Sequence, residues 1–182
     1  MNKNSISAII IVVIILVATG VWYGLSKKPV AFTPISAPQE SKEPIKIGFS
    51  APLTGNAAAW GLPIKRGAEV ALDKVNSEGG VKGRKIELIF EDDKCDGKEA
   101  ATVASKLISI DKVPAIIGTV CSSATLGMAP IVEQNKVLLL SSGSSAPAIK
   151  DAGDYVFTIY PLDNYEAGIA VEFAYDRLDK RI

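Results

Sequence analysis

The chain reads AIIGTVCSS over residues 115–123 and VLLLSSGSS over residues 137–145. Each segment is a short apolar run, typical of a buried strand, that opens into a loop of glycine and hydroxyl residues before a helical pattern starts. When neighbouring parallel strands end in this way, their hydroxyls and free backbone N–H groups face a common crevice. Because helix N-termini carry partial positive charge, we expect this crevice to bind a small carboxylate.

Strand and helix patterns alternate over the whole segment from residue 45 onward. Strands are predicted at residues 45–50, 86–90, 115–118, 137–140 and 155–159, with 181–182 opening one more. Helical patterns fill the intervals, the last over residues 164–178. The alternation predicts an α/β fold, a doubly wound parallel sheet whose ligands bind beyond the carboxyl ends of the strands. Ending at the start of a strand indicates a truncated domain, with frayed final residues as the alternative.

Three of these helices carry recognisable boundary residues. The first has Pro63 in its first turn and stops at Gly79. The second begins with Asp96 in a variant capping box, and the third is capped by Ser122 or Ser123. The buried stripe predicted for the second helix consists of Ala100, Val103, Ala104, Leu107 and Ile108.

The N-terminal part of the chain does not resemble a folded core. A short tail, residues 1–5, precedes residues 6–25, which are nearly uncharged and long enough to span a bilayer as a helix. We interpret 6–25 as a transmembrane signal anchor, with a cleaved signal peptide as the alternative. Residues 26–44 form a Pro-rich linker, so that the N-terminal helix anchors the folded segment 45–182 at the extracytoplasmic face of the membrane.

Composition disfavours several classes of function. The chain has 20 Lys and Arg against 20 Asp and Glu, so no net charge attracts nucleic acid. It contains no histidine, which removes the usual general base of hydrolases and the commonest zinc ligand. Asp92 and Asp93 lack further ligands at suitable spacing, and solvated loop or capping roles are predicted for them instead. We expect no cofactor, no metal and no enzymatic activity.

The two cysteines, Cys95 and Cys121, each follow a predicted strand. In an exported chain a disulfide is the leading interpretation, and it would stiffen the loop that contains Ser122. Two buried free thiols, or a metal site completed by carboxylates, are the alternatives.

Matching stretches spread over more than a hundred positions indicate a family. They are Ile47 Gly48, Pro52 Leu53 Thr54 Gly55, Trp60 Gly61, Gly67 Ala68, Asn76, Gly79 Gly80 Val81 Lys82 Gly83, Glu91 Asp92 Asp93, Cys95 Asp96, Ile117 Gly118, Cys121 Ser122 Ser123, Pro161 and Asp163. In these residues the chain resembles the branched-chain amino-acid-binding proteins of ABC transporters, which have the type I periplasmic binding fold. The resemblance covers only the first of that family's two lobes.

The resemblance implies a set of site residues. Ser122 and Ser145 would bind the carboxylate of an amino acid through hydroxyl and backbone N–H. The Gly143 carbonyl would accept from its ammonium group, Trp60 would pack at the cleft mouth, and the two cysteines occupy the positions of the family's disulfide. The protein would deliver its ligand to an ABC permease, and the second lobe would supply further ligand residues.

Other interpretations of the same residues stay open. Ser122 could serve only as an N-cap, Trp60 could be a core aromatic residue, and Ser141, Ser142 and Ser144 are assigned to loop structure alone. The chain could instead be the ligand-sensing ectodomain of a membrane receptor. A serine hydrolase using Ser122 or Ser145 with a lysine base is a weaker alternative, because the usual nucleophile motifs are missing.

Overall fold

The fold is built on a five-stranded sheet in which neighbouring strands are parallel. The computed structural model describes residues 14–17, 19, 21–22 and 43–178. The strands are β1 (Ile45–Ala51), β2 (Ile86–Asp92), β3 (Ala115–Gly118), β4 (Leu138–Ser141) and β5 (Val156–Thr158). The α/β class and the five strands that the sequence predicts within these residues are confirmed.

The strand order is β2-β1-β3-β4-β5, so the first strand in sequence lies inside the sheet. Phe49 of β1 is opposite Phe90 of β2 on one side and Ile117 of β3 on the other. The sheet therefore grows in one direction from β1 to β2 and in the other from β1 to β3. Sheets of this type bind ligands where the order reverses, beyond the carboxyl ends of the strands.

Strand boundaries differ slightly from the predicted ones. β2 continues through Glu91 and Asp92, because Ser50 and Ala51 of β1 extend the ladder alongside them. β4 begins at residue 138 rather than 137, since the N–H of Val137 donates to the Val132 carbonyl and closes the preceding helix. β5 is shorter than predicted at both ends.

Within residues 43–178, three helices and a 3-10 turn connect successive strands, and a fourth helix follows β5. The helices are α1 (Ala58–Ser77), α2 (Gly97–Ser109), α3 (Ser122–Asn135) and α4 (Asp163–Leu178), with a 3-10 turn over Pro147–Asp151. The placement of Pro63 in the first turn of α1 was wrong: the helix begins five residues earlier, because alanines, the strongest helix formers, precede the proline. The predicted stop at Gly79 is confirmed by its positive φ of 102°.

The main core lies between the sheet and the helices α2 and α3. All five residues of the predicted α2 stripe are buried. They pack with Ile116 of β3, Leu139 of β4 and Met128 of α3, each fully buried. The prediction of an amphipathic α2 is therefore confirmed in detail.

α4 presents a different surface from that of α2. Tyr165, Ile169, Val171, Phe173 and Tyr175 of α4 are between 52% and 66% exposed. Within residues 43–178, this helix has no apolar side chain in the buried core.

The chain divides into two units, Met1–Glu40 and Ser41–Ile182. In the first unit, residues 14–17, 19 and 21–22 are helical. The predicted tail 1–5, most of the predicted anchor 6–25, residues 26–42 of the linker and the predicted strand at 181–182 lie outside the described residues. A search of the described part alone finds no helix with the length and hydropathy needed to cross a bilayer.

Candidate ligand-binding cleft

An open cleft of about 550 Å³ lies at the carboxyl ends of the strands. It is bordered by the loops that follow all five strands and by the start of α1. The lining residues are Asn56, Ala57, Trp60, Ile64, Cys95, Val120, Cys121, Ser142, Gly143, Ser145 and Tyr160. This lining contains no charged side chain, so a charged ligand would meet hydroxyls, amides and backbone groups here.

The structure brings three of the four predicted ligand residues into this lining. Trp60, Gly143 and Ser145 border the cleft directly, whereas Ser122 lies immediately beside it at the start of α3. Trp60 is 70% exposed, which excludes the alternative of a core aromatic residue.

Asn56 and Tyr160 are two further lining residues that the sequence analysis did not single out. Asn56 follows β1 and Tyr160 follows β5, so both lie at the edge of the sheet formed by the carboxyl ends of the strands. The available signal was that each lies in the loop after a predicted strand.

The N-cap interpretation of Ser122 and Ser123 was wrong. Residue Cys121 occupies the N-cap of α3, without a side-chain capping bond, and the serines are the first two helical residues. The Ser122 Oγ instead accepts hydrogen bonds from the N–H groups of Ser145 at 3.2 Å and Ala146 at 3.1 Å. Ser122 thus connects the two serine-rich loops, and its own hydroxyl proton remains available for a ligand.

Several polar groups around the cleft have no hydrogen-bond partner within residues 43–178. These are the Gly143 carbonyl, the Ser145 hydroxyl and the backbone N–H groups of Ser122 and Ser123 at the start of α3. The last two are the free donors that every helix N-terminus leaves, and the helix dipole adds positive potential there. The cleft therefore offers donors for a carboxylate and an acceptor for an ammonium group.

A buried set of hydroxyls supports the loop after β4. Ser141, Ser144, Thr119 and Thr125 are all fully buried. The Ser141 Oγ donates to the Thr119 carbonyl at 2.9 Å and accepts from the Ser144 N–H at 3.0 Å. The sequence analysis assigned Ser141 and Ser144 to loop structure alone and missed this network. The hydroxyl and carbonyl groups that these serines contact come from distant parts of the sequence.

Ser142 differs from its serine neighbours. Its Oγ is buried and has no hydrogen-bond partner in the described part of the chain, although the residue borders the cleft.

Cys95 and Cys121 form the predicted disulfide, with their Cα atoms 5.4 Å apart. The link joins the loop after β2 to the loop after β3, and both cysteines line the cleft. The Ser123 Oγ donates to the Cys95 carbonyl at 2.9 Å and makes a second connection between the same loops. The alternatives of free thiols and of cysteine metal ligands are excluded.

The two aspartates beside this disulfide have different environments. Asp92 accepts hydrogen bonds from Thr54 and from the N–H groups of Leu53 and Lys94. Asp93 is fully buried, and accepts from the Ser50 hydroxyl at 2.7 Å and the Cys95 N–H at 2.9 Å. The predicted solvated role is therefore wrong for Asp93, which organises the turn that presents Cys95. The described residues contain no group of side chains suited to hold a metal ion.

The model of a periplasmic binding protein family matches residues 44–182. The chain belongs to this family. A leucine-, isoleucine-, valine-, threonine- and alanine-binding protein of Pseudomonas aeruginosa is 37% identical over 140 residues, which are 76% of this chain and 37% of that protein. The leucine-specific-binding protein of Salmonella typhimurium is 32% identical over 130 residues, 71% of this chain and 35% of that protein.

Solved structures show the same fold. The substrate-binding protein LivJ of a branched-chain amino acid transporter from Streptococcus pneumoniae, in complex with isoleucine, aligns with a TM-score of 0.70 at 31% identity. The alignment covers 75% of this chain and 39% of that protein. The resemblance stated from the sequence is thus confirmed, and the relatives are solute-binding proteins rather than enzymes. The chain spans less than two fifths of the length of each of these three relatives.

Proposed function

We propose that this chain forms the first lobe of an extracytoplasmic amino-acid-binding protein that serves an ABC transporter. The observation that carries the proposal is the cleft itself. The Gly143 carbonyl, the Ser145 hydroxyl and the free N–H groups at the start of α3 lie together beside it without partners among residues 43–178. An amino acid has a carboxylate and an ammonium group on one carbon, and this pattern suits both.

In this proposal the carboxylate accepts from the Ser122 and Ser145 hydroxyls and from the N–H groups of Ser122 and Ser123. The ammonium group donates to the Gly143 carbonyl. Hydrogen bonds that involve an ionised group contribute about 1.5–3 kcal/mol each, so several together offset the cost of removing the carboxylate from water. The second lobe would supply the acidic partner for the ammonium group.

The nature of the ligand's side chain is inferred from the cleft walls. Ala57, Trp60, Ile64 and Val120 provide an apolar surface without a charged neighbour in the lining. Such walls suit an uncharged, mainly aliphatic side chain. The relatives are named for binding leucine, isoleucine and valine among other amino acids, and we extend this class to the present protein.

We further propose that residues 6–25 anchor the protein in the membrane, and that the linker 26–44 holds the binding lobe outside the cytoplasm. Delivery of the ligand to a permease in the same membrane then needs no diffusion through the compartment. The disulfide supports this location, because such bonds persist in oxidising compartments.

The ligand role of Ser145 can be tested with Ser145→Ala and Ser145→Thr in the full-length protein. We expect Ser145→Ala to weaken leucine binding by roughly tenfold to a hundredfold, the equivalent of one charge-assisted hydrogen bond. Ser145→Thr keeps a hydroxyl at the same position and should retain most of the affinity. Isothermal titration calorimetry with leucine, isoleucine and valine measures these dissociation constants.

Ser145 is preferable to Ser122 for this test because the Ser122 hydroxyl also holds the neighbouring loop. A Ser145→Ala protein with wild-type affinity would contradict the assigned role of Ser145. A wild-type protein that binds none of the aliphatic amino acids would contradict the proposed function.

A further inference from the structure

Three buried hydroxyls form a continuous chain beneath the cleft. The Thr119 Oγ1 donates to the Gly118 carbonyl at 2.7 Å, so its only proton is used there. The bond between the Thr119 and Thr125 hydroxyls must then take its proton from Thr125. By the same reasoning, the Ser144 Oγ donates to the Thr125 Oγ1, at 2.6 Å. The protons therefore all point one way, from Ser144 through Thr125 to Thr119.

Ser144 is fixed at each of its polar groups. Its Oγ bonds to Thr125, its N–H donates to the Ser141 Oγ at 3.0 Å, and its carbonyl accepts from the Thr158 Oγ1 at 2.9 Å. Ser144 lies between Gly143 and Ser145, which border the cleft. Holding Ser144 from inside therefore determines where the Gly143 carbonyl and the Ser145 hydroxyl are presented.

The first turn of α3 holds this loop at two points. Ser122 accepts from the N–H groups of Ser145 and Ala146, and Thr125 accepts from Ser144. Residues three apart lie on the same face of a helix, so both contacts come from one side of α3. The same helix start carries the free N–H groups proposed for the carboxylate, so these contacts also keep the two halves of the site in a constant relative position.

We propose that Thr125 is a positioning residue for ligand binding, which acts through Ser144 and does not itself touch the ligand. This inference rests on the proposed function, since it concerns affinity for the amino acid. The Thr125 hydroxyl is the only link in the described structure that joins α3 to the Ser144 side chain. Removing it leaves the Ser144 and Thr119 hydroxyls in place but disconnected.

The test compares Thr125→Val, which keeps the shape of the side chain, with Thr125→Ser, which keeps the hydroxyl. In the full-length protein we expect Thr125→Val to raise the dissociation constant for leucine roughly threefold to tenfold, and Thr125→Ser to change it less than about twofold. Thr102→Val on the exposed surface of α2 is the matched control, because its hydroxyl bonds only to the Lys98 carbonyl one turn earlier. It should leave the dissociation constant unchanged.

A second comparison separates positioning from general loss of stability. Ser144→Ala removes the other end of the same link and should weaken leucine binding to a similar extent. The double variant Thr125→Val, Ser144→Ala should then bind leucine no more weakly than either single variant. If Thr125→Val fails to fold, the Ser144→Ala variant alone tests the same link through its dissociation constant for leucine.

Each outcome decides between the proposals. Thr125→Val with wild-type affinity, or additive losses in the double variant, would overturn the positioning role and leave the proposed function intact. Failure of the wild-type protein to bind any aliphatic amino acid would instead overturn the proposed function, and this inference with it. A lower midpoint of thermal unfolding at unchanged affinity would assign Thr125 to stability alone.

Discussion

Asp92 and Asp93 are adjacent in sequence, yet their pKa values are shifted in opposite directions. Burial raises the pKa of Asp93, and the hydrogen bonds from Cys95 and Ser50 only partly offset it. Partial burial also acts to raise the pKa of Asp92, but the bonds from Thr54, Leu53 and Lys94 outweigh it and the net pKa is lowered. The cause is the alternation of side chains at the end of β2, which turns one carboxylate inward and the next outward.

These shifts predict opposite effects on stability as a function of pH. The folded protein holds the Asp93 proton above the ordinary pKa of 3.8, so the Asp93 contribution to stability falls as pH rises from there through its raised pKa. Asp93→Asn removes this loss, and its stability relative to wild type should increase between about pH 4 and pH 7. Urea unfolding of both proteins at the two pH values measures the difference.

Asp92→Asn provides the control with the opposite sign. The lowered pKa of Asp92 contributes stability above its ordinary value, and this contribution is lost as pH falls. The Asp92→Asn protein should therefore be less stable than wild type at pH 7, and this difference in stability should be smaller at low pH. The same pH dependence for both variants would refute the assignment of the two environments.

Side-chain hydrogen bonds to residues nearby in the sequence could be predicted, whereas those to distant residues could not. Asp96 was identified as a helix cap, and its carboxylate accepts from Lys98 and Glu99 within the next turn. Ser122 has the same local signature, but its partners are 23 and 24 residues away in another loop. A hydroxyl residue before a helix does not reveal from the sequence alone whether a local or a distant N–H will reach it.

The packing of α2 against α3 depends on two glycines in close contact. A Cβ atom at Gly127 would lie 2.2 Å from the Gly97 carbonyl oxygen, and one at Gly97 would lie 2.9 Å from the Ser123 carbonyl. The backbones of the two helices therefore approach each other directly near the disulfide. This close contact between the helices sets the distance between the two loops that precede them.

We predict that Gly127→Ala lowers the free energy of unfolding by about 1–3 kcal/mol, because the added methyl group forces the helices apart. Gly67→Ala in α1 is the matched control. A Cβ there meets no atom within 4 Å, and replacing a helical glycine by alanine should stabilise by about 0.5–1 kcal/mol. Urea denaturation of both variants checks the signs, and a neutral Gly127→Ala would contradict the close contact.

For single helices and strands, the periodicity of apolar residues predicted well which elements are present. It predicted less well the residues at which each element begins and ends. The apolar runs of β3 and the stripe of α2 match the predictions because burial alone determines them. The end of β2 depends on how far β1 continues the ladder, the start of β4 on the Val137 N–H that closes α3, and the start of α1 on residues before Pro63. The position of the cleft followed from the strand ends, whereas its hydroxyl support required the three-dimensional contacts.

At the scale of the whole molecule, the proposed anchor makes a clear prediction. If residues 6–25 remain attached, the protein should sediment with membranes and resist washing at high salt or alkaline pH. Replacing these residues by a cleavable signal peptide should release it as a soluble protein in the extracytoplasmic compartment. Cell fractionation followed by sequencing of the mature N-terminus checks both, and an N-terminus beyond residue 20 would show cleavage and contradict the anchor.

The inner position of β1 has a consequence for the order of assembly. As the chain emerges on the extracytoplasmic side of the membrane, β1 can pair with β2 at once, but its other edge has no partner until β3 has also crossed. During that interval the backbone N–H and C=O groups on one side of β1 are open to pairing with any other extended chain. A nascent chain halted between β2 and β3 would therefore be the species most prone to aggregate, and the one that most needs a chaperone.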